Sequence, residues 1–321
     1  MGNSGTLRSL SLSSMKVLFI GKAKSYNDLS SILRAQARSL KEQGVEVQLF
    51  CIEGAGIKGY FNSLLSLRRL IGNTRFDIYH AHYYLSGIVS ILAGARPLVV
   101  SLMGSDLISS SLSRSFINLF NRFFWDACIV KSSQMLRLLQ TNSHNYLIPN
   151  GVDINLFKPL DKAECMRKIG YNPSMKHILF LADPSRREKN YNLAAEAVKN
   201  LGEIKAELHV IHDVPYEDIP VYMSASDVLL LTSLHEGSPN VIKEAMACNL
   251  SVVATPVGDV PEVINEIPGC FITKFDASEI AEKLKDALSF IGKTGGRDKI
   301  LQISSSEIAL RIIELYKKLL S

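Results

Sequence analysis

The chain has 321 residues, 47% of them hydrophobic, which is enough for about two domains with separate cores. It carries 36 Lys and Arg against 31 Asp and Glu, and its five cysteines are scattered without a Cys-x-x-Cys pair. This composition argues against a disulfide framework and a cysteine-based zinc site, and no apolar run is long enough to cross a membrane.

The charge is distributed unevenly along the chain. Residues 1–150 contain 16 basic against 7 acidic side chains, whereas residues 151–321 contain 20 against 24. A basic first half predicts an anionic partner such as a lipid surface or a pyrophosphate, and a simple solubility bias is the alternative. No groove-reading motif accompanies this charge, so we expect no nucleic-acid partner. The expected location is the cytoplasm, with peripheral contact at the inner membrane face as an option.

The first predicted elements are typical of a Rossmann-like domain. Residues 1–14 are Ser-rich and aperiodic, which predicts a flexible tail. Strand Lys16–Ile20, helix Leu29–Gln43 and strand Val45–Phe50 then form a β-α-β unit. The turn at residues 21–25 has one glycine, so the G-x-G-x-x-G dinucleotide fingerprint is absent.

Two further segments of the first half carry charged or polar groups. The segment Phe61–Phe76 mixes leucines with arginines, and we favour packing on the sheet over an amphipathic helix lying on a membrane. The strand Phe76–His82 ends in His-Ala-His. Two histidines at i, i+2 without a nearby Cys or carboxylate are a poor zinc signal, so we expect no metal site here.

The chain changes character near residue 150. Tyr146–Pro159 (YLIPNGVDINLFKP) is a predicted strand followed by turn residues, which indicates a domain boundary near Asn150. His177–Asp183 is the next buried strand, and a loop with Arg186, Arg187 and Lys189 follows it. Such a cationic loop is either a solvated turn or an anion site.

The stretch from residue 229 to 263 predicts strand, loop, helix and strand. Ser238 is predicted as the N-cap of this helix and Pro239 as its first residue. Ligands of open α/β sheets bind beyond the carboxyl ends of the strands, and a helix N-terminus suits phosphate. Gly237 allows a ligand to approach the backbone closely.

Two carboxylates bracket this helix start. Glu236 lies in the loop and Glu244 lies eight positions later, inside the helix. Carboxylates so placed accept hydrogen bonds from hydroxyls on either side of a bound diphosphate. The alternative is that Glu236 decorates a turn and Glu244 is a solvated helix residue, because two Glu eight apart are weak evidence alone.

The segments EGSPNVIKEAMAC, SVVATPVGDVPEVI and IPNGVDINLFKP resemble the retaining glycosyltransferases of family 4, whose Glu-x7-Glu motif matches Glu236 to Glu244. The resemblance implies the GT-B fold: two Rossmann-like α/β/α domains whose parallel sheets face each other across a cleft. Residues 15–150 would bind the acceptor and 151–305 the nucleotide sugar, and a helix at 306–321 would cross back to the first domain.

The resemblance also implies roles for single residues. Glu236 would face the donor sugar, with His82 as a second catalytic candidate in the cleft. Glu244 would hold the ribose. The diphosphate would lie on Lys189 and Arg186, with Arg187 as the alternative arginine. The remaining donor-loop residues are Gly237, Ser238, Pro239 and Asn240.

The implied activity is transfer of a sugar from a nucleotide sugar to a hydroxyl on a glycan or lipid-linked acceptor, as in polysaccharide or glycolipid biosynthesis. No metal and no cofactor are expected. The sequence departs from the family pattern at Met103, where a His is common, and in lacking a Gly-Gly first turn. A non-catalytic nucleotide- or glycan-binding protein and a sugar-nucleotide 2-epimerase therefore stay as alternatives.

Overall fold

A computed structural model describes residues 15–23, 30–54, 56–108, 111–140 and 142–321. The predicted tail at residues 1–14 lies outside the described residues, as does part of the turn after the first strand. Within the described ranges, no helix is long and apolar enough to cross a membrane.

The first half of the chain builds a six-stranded parallel sheet in the order β2-β1-β3-β4-β5-β6. Its strands are β1 (Lys16–Lys22), β2 (Glu46–Ile52), β3 (Ile78–His82), β4 (Leu98–Ser101), β5 (Ala127–Val130) and β6 (Asn145–Leu147). Its helices are α1 (Ser31–Glu42), α2 (Gly56–Asn62), α3 (Leu64–Asn73), α4 (Tyr84–Ala93), α5 (Ser105–Ile108), α6 (Ser111–Phe123) and α7 (Ser133–Leu138).

The second half builds a five-stranded parallel sheet in the order β11-β10-β9-β7-β8. Its strands are β7 (Lys176–Phe180), β8 (Ala206–Val210), β9 (Val228–Leu231), β10 (Ser251–Ala254) and β11 (Cys270–Ile272). The remaining helices are α8 (Lys162–Ile169), α9 (Tyr191–Lys199), α10 (Ile219–Ala225), α11 (Asn240–Ala247), α12 (Val260–Ile264), α13 (Ala277–Ser289), α14 (Gly296–Leu301) and α15 (Ser305–Leu320).

The central strands are apolar because helices cover both faces of each sheet. Strands β4, β5, β9 and β10 are buried along their whole length. The structure therefore has two α/β units of the kind that the sequence predicted, and the carboxyl ends of their strands carry the loops discussed below.

Helix α15 follows the second sheet in sequence but packs into the core of the first. Ile312 and Tyr316 belong to the same buried cluster as Val17 and Phe19 of β1. The Tyr316 hydroxyl also lies 2.5 Å from Nδ1 of His80 on β3. The last helix thus holds the two halves of the chain together.

The Leu- and Arg-rich segment forms two helices, α2 and α3, rather than one. Leu67 is fully buried in the first core, whereas Arg68 and Arg69 are exposed. The packing interpretation holds for Leu67 because its side chain reaches the sheet while the arginines stay in water.

Candidate active site

Two loops from opposite sheets meet backbone to backbone. Gly104 follows β4, and Gly237 lies in the loop after β9. A Cβ built on Gly104 would lie 2.4 Å from the Gly237 Cα, and one on Gly237 would lie 2.7 Å from the Met103 carbonyl oxygen. Only glycine permits this approach. The loops that follow the carboxyl ends of the two sheets are therefore in direct contact at this point.

The turn at Met103 is held by a buried carboxylate. Asp106 accepts a hydrogen bond from the Met103 backbone N–H and is fully buried. Burial raises the pKa of Asp106 to about 7. The Gly104-Ser105-Asp106 sequence thus shapes the loop that touches Gly237.

Lys189 and Glu236 form an ion pair between the loops after β7 and β9. The Lys189 Nζ lies 2.6 Å from Glu236 Oε1, and each side chain is 18% exposed. The Thr232 hydroxyl donates to the carbonyl oxygens of Lys189 and Asn190, both at 3.0 Å. The ammonium and the carboxylate are consequently held together beyond the carboxyl end of the second sheet, and both remain partly exposed to a ligand.

The two predicted arginines lie farther out. Arg186 Nη2 lies 2.6 Å from Glu188 Oε1, and the Arg186 side chain is 55% exposed. Arg187 is exposed and opens the short 3-10 turn Arg187–Lys189. Of the three predicted loop cations, the structure brings only Lys189 against Glu236.

The helix start differs from the prediction by one residue. Pro239 is the N-cap and Asn240 the first helical residue, and no described side chain caps the first turn. The predicted cap, Ser238, instead donates its hydroxyl to Asp259 Oδ2 at 2.8 Å and accepts from the Lys243 ammonium. The prediction of Ser238 as N-cap was wrong because a buried ion pair draws its hydroxyl away from the backbone N–H groups.

The linker also reaches this helix. Asn150 Nδ2 donates to Asn240 Oδ1 at 3.2 Å. The conformation of the first residue of α11 is therefore tied to the segment that joins the two halves of the chain.

Glu244 is a buried carboxylate with one hydrogen-bond partner among the described residues. Its side chain is almost fully enclosed, and the Tyr216 hydroxyl donates to Oε1 at 2.7 Å. Burial raises the pKa of Glu244 to about 7. The alternative of a solvated helix residue is thus wrong for Glu244, because α11 turns this side chain inward.

His82 lines a cavity of about 540 Å³ in the first half of the chain, together with Gly21, Lys22, Tyr60 and Met103 among others. Both of its ring nitrogens are buried without a hydrogen-bond partner among the described residues. The pKa of His82 is lowered well below its usual range, mainly by burial and to a smaller extent by the neighbouring His80. The ring is therefore neutral at pH 7. His80 differs, since it contacts Tyr316 and Ser101.

Three residues near the candidate site were not predicted from the sequence. Lys243 is fully buried and lies 2.7 Å from Asp259 Oδ2. Lys131, at the end of β5, lines the same cavity as Lys243 and Asp259, and burial lowers its pKa to about 7. Tyr216 is the first residue of a short 3-10 turn, which neither helical nor strand periodicity in the sequence predicts. For these three residues, the sequence offered one signal, which is that Lys243 lies among the apolar positions of α11.

Comparison with solved structures defines the class of fold. A sucrose-phosphate synthase from Thermosynechococcus elongatus superposes with a TM-score of 0.79 at 16% identity, over 95% of this chain and 99% of that one. A glycosyltransferase from Rickettsia africae gives 0.77 at 16% identity, over 96% and 99%. The fold is the two-sheet GT-B architecture.

The family follows from the sequence. The model of Glycosyltransferase Family 4 matches residues 30–156, and that of Glycosyl transferases group 1 matches residues 183–289. The chain belongs to the family-4, group 1 glycosyltransferases.

Curated relatives are distant. An Escherichia coli α-1,3-galactosyltransferase that acts on GlcNAc-diphosphoundecaprenol is 25% identical over 78% of this chain and 74% of its own length. The N-acetyl-α-D-glucosaminyl L-malate synthase of Bacillus anthracis is 23% identical over 59% of this chain. The chain spans 58% of the length of that synthase. It also spans 60% of the length of a Bacillus subtilis protein of teichuronic acid biosynthesis.

Proposed function

We propose that the protein is a retaining glycosyltransferase that needs no metal and moves a sugar from a nucleotide sugar to a hydroxyl acceptor. The observation that carries this proposal is the Lys189–Glu236 ion pair beside the uncapped start of α11. A cation and free backbone N–H groups suit a diphosphate, while a carboxylate next to them suits sugar hydroxyls.

The ion pair suggests how the donor loads. An incoming diphosphate attracts the Lys189 ammonium, which frees Glu236 to accept hydrogen bonds from the donor sugar. Arg186 and Arg187 are close along the chain and exposed, so either can swing toward the phosphates. Fixed cations stabilise the negative charge that develops on the leaving nucleotide.

Glu244 is proposed to hold the ribose. Its carboxylate has one oxygen bonded to Tyr216 and keeps acceptor capacity on the other. Gly237, Ser238, Pro239 and Asn240 would line the path between the two carboxylates. A structural neighbour, HepE of Anabaena, has been solved with UDP and with UDP-glucose, which supports a nucleotide-sugar donor here.

His82 is proposed to contact the reacting sugar or acceptor from the opposite sheet. A neutral imidazole offers one donor and one acceptor nitrogen, and both are without partners among the described residues in the cavity that His82 lines. This cavity of about 540 Å³ is large enough for a sugar acceptor. His82 would supply the polar contact that Met103 cannot.

Retention and metal independence rest on chemistry. Glu236 is paired with a lysine rather than poised as a free nucleophile, which favours same-face attack assisted by the departing phosphate. The positive charge of Lys189 and of the α11 N-terminus takes the place that a divalent cation would hold on the diphosphate.

The acceptor is proposed to be a glycan precursor at a membrane. The Escherichia coli relative acts on a diphosphoundecaprenol-linked sugar. On α6, Phe116, Leu119 and Phe123 recur at helical spacing and are exposed by 57%, 48% and 60%, with Arg122 beside them. An apolar stripe flanked by positive charge binds anionic bilayers.

Vesicle sedimentation tests this contact. Phe116→Ser with Phe123→Ser should abolish binding to vesicles containing phosphatidylglycerol, whereas Ile291→Ser, 95% exposed in the second half, should not. Binding of the double variant equal to that of the wild type would contradict membrane contact through α6.

The experiment for the activity is a thermal-shift panel of nucleoside diphosphates and nucleotide sugars in EDTA, followed by product analysis with the donor that binds. A ligand that binds only the native state raises the melting temperature. We expect a shift with one nucleotide family that is lost in Lys189→Ala and kept in Lys199→Ala, an exposed lysine on α9. The product should keep the anomeric configuration of the donor.

Two other outcomes identify the alternatives. Turnover of the sugar nucleotide without any acceptor would indicate a 2-epimerase, and donor binding without nucleotide release would indicate a binding protein. The named relatives are transferases or synthases, which favours transfer.

A further inference from the structure

Two histidines and a glutamate converge on one face of the second sheet. His177 is the second residue of β7, and Glu207 and His209 lie on the edge strand β8. His177 is paired in register with Glu207, and side chains two apart on a strand share a face. His177 and Glu207 are the second residues of β7 and β8, and His209 lies two residues further along β8, whereas Lys189 lies in the loop that follows the carboxyl end of β7.

The donor atoms are spaced for a small cation. His177 Nδ1 lies 2.8 Å from His209 Nε2, and Glu207 Oε2 lies 3.9 Å from the first nitrogen and 3.6 Å from the second. Tetrahedral zinc, with bonds of about 2.0–2.2 Å, needs its donors about 3.3 Å apart. Each donor atom therefore needs to move by only about half an ångström.

The far side of His177 is already arranged as in a metal site. Its Nε2 lies 2.9 Å from the carbonyl oxygen of Asn172. Since a carbonyl can only accept, Nε2 carries the proton and Nδ1 presents its lone pair to the cluster. Metal-bound histidines almost always donate their other N–H in this way.

An aromatic ring shelters the two imidazoles. The Tyr171 ring stacks on His209 at 3.7 Å and on His177 at 4.6 Å between centroids. His177 is fully buried, whereas Glu207 is 44% exposed on its side chain. The site is thus rigid on the histidine side and open to solvent on the carboxylate side.

We propose that His177, His209 and Glu207 bind a divalent transition-metal cation of the zinc type. The ion would coordinate His177 Nδ1, His209 Nε2 and Glu207 Oε2, with water in the fourth position. Without the ion, the hydrogen between the two facing nitrogens belongs to His209 Nε2, and on metal binding His209 would change to the tautomer protonated at Nδ1, which leaves Nε2 free for the ion. This site is separate from the donor site, and its effect is to fasten the edge strand β8 to β7.

The test uses the untagged full-length chain, stripped with EDTA and titrated with Zn²⁺ against a chromophoric chelator. We expect one equivalent of tightly bound zinc and a higher melting temperature with zinc. Substitution with Co²⁺ should give a tetrahedral visible spectrum without a thiolate charge-transfer band, and Mg²⁺ should not compete.

The variants are chosen to fold. His209→Ala and Glu207→Gln remove ligands that are partly exposed, and each should weaken zinc binding by at least about 10- to 100-fold. His212→Ala removes an exposed histidine in the same half of the chain and should leave binding unchanged. Failure of the wild type to bind zinc, or equal binding by His209→Ala, would overturn the proposal. This test measures zinc binding and not glycosyl transfer. Its outcome therefore does not depend on whether the proposed transferase activity is found.

Discussion

Gly104 and Gly237 contact each other through their backbones, although 133 positions of sequence separate them. A Cβ on Gly237 would also lie 2.6 Å from the Gly104 Cα. Neither the φ of Gly237 nor its local turn demands glycine, since its φ is not in the left-handed region. Glycine is required at position 237 by the close packing of these two loops.

We therefore expect Gly237→Ala to push the two loops apart and to weaken donor binding at least tenfold. The exposed Gly72 in α3 has open space where a methyl group would stand, with no atom within 4 Å. Gly72→Ala should keep donor affinity and add about 0.5–1 kcal/mol of stability. Isothermal titration calorimetry measures the donor affinity, and urea unfolding measures the stability. Unchanged affinity in Gly237→Ala would show that the loops can separate without cost to the site.

Glu236→Gln should separate catalysis from binding. The amide keeps the shape of the side chain but loses the charge that the proposed donor sugar contacts. We expect kcat to fall by roughly 10²-fold while the donor Kd changes little, because the proposed contact between Lys189 and the diphosphate remains. Single-turnover kinetics with titrated donor give both values. A weaker Kd with unchanged kcat would assign Glu236 to ground-state binding instead.

Glu244 makes stability depend on pH. Its pKa is raised by burial to about 7, above the ordinary value of 4.5 for a glutamate. Between these values the folded state binds more protons than the unfolded state, so stability falls as pH rises toward 7. In Glu244→Gln this fall should shrink by up to a few kcal/mol. Urea unfolding from pH 4.5 to 8 measures it, with the exposed Glu196→Gln as the control.

The same titration should appear in donor binding. Ionised Glu244 is the better acceptor for ribose hydroxyls, so donor affinity of the wild type should rise as pH increases through about 7. A pH-independent affinity that matches Glu244→Gln would contradict the ribose assignment.

The buried pair Lys243–Asp259 should be costly to break from one side. Lys243→Met leaves the Asp259 carboxylate buried without its cation, which typically costs about 3–5 kcal/mol. Lys243→Met with Asp259→Asn removes both charges and should recover part of this loss. The exposed pair Lys283–Asp286 serves as the control, and Lys283→Met should cost less than about 1 kcal/mol. Additive losses in the double variant would show that the two charges are not coupled.

The sequence by itself determined the architecture and the position of the loop between strand β9 and helix α11. Buried strands such as Val228–Leu231 and Ser251–Ala254 are near-continuous apolar runs because both faces of a parallel sheet are covered. The Glu236 to Glu244 spacing and the loop with Lys189 were likewise visible, since strand ends and helix starts are local features. The family and the GT-B fold, both predicted from these segments, are confirmed.

Only the tertiary structure decided which side chains meet. Ser238 was predicted as a cap from local propensity, but the Lys243–Asp259 pair, formed by two different helical segments, takes its hydroxyl. Tyr216 reaches Glu244 from a short turn 28 residues away, and His177 meets His209 across two strands. These contacts depend on how strands are ordered in the sheet, and single-chain periodicity carries no information about partners so distant in sequence.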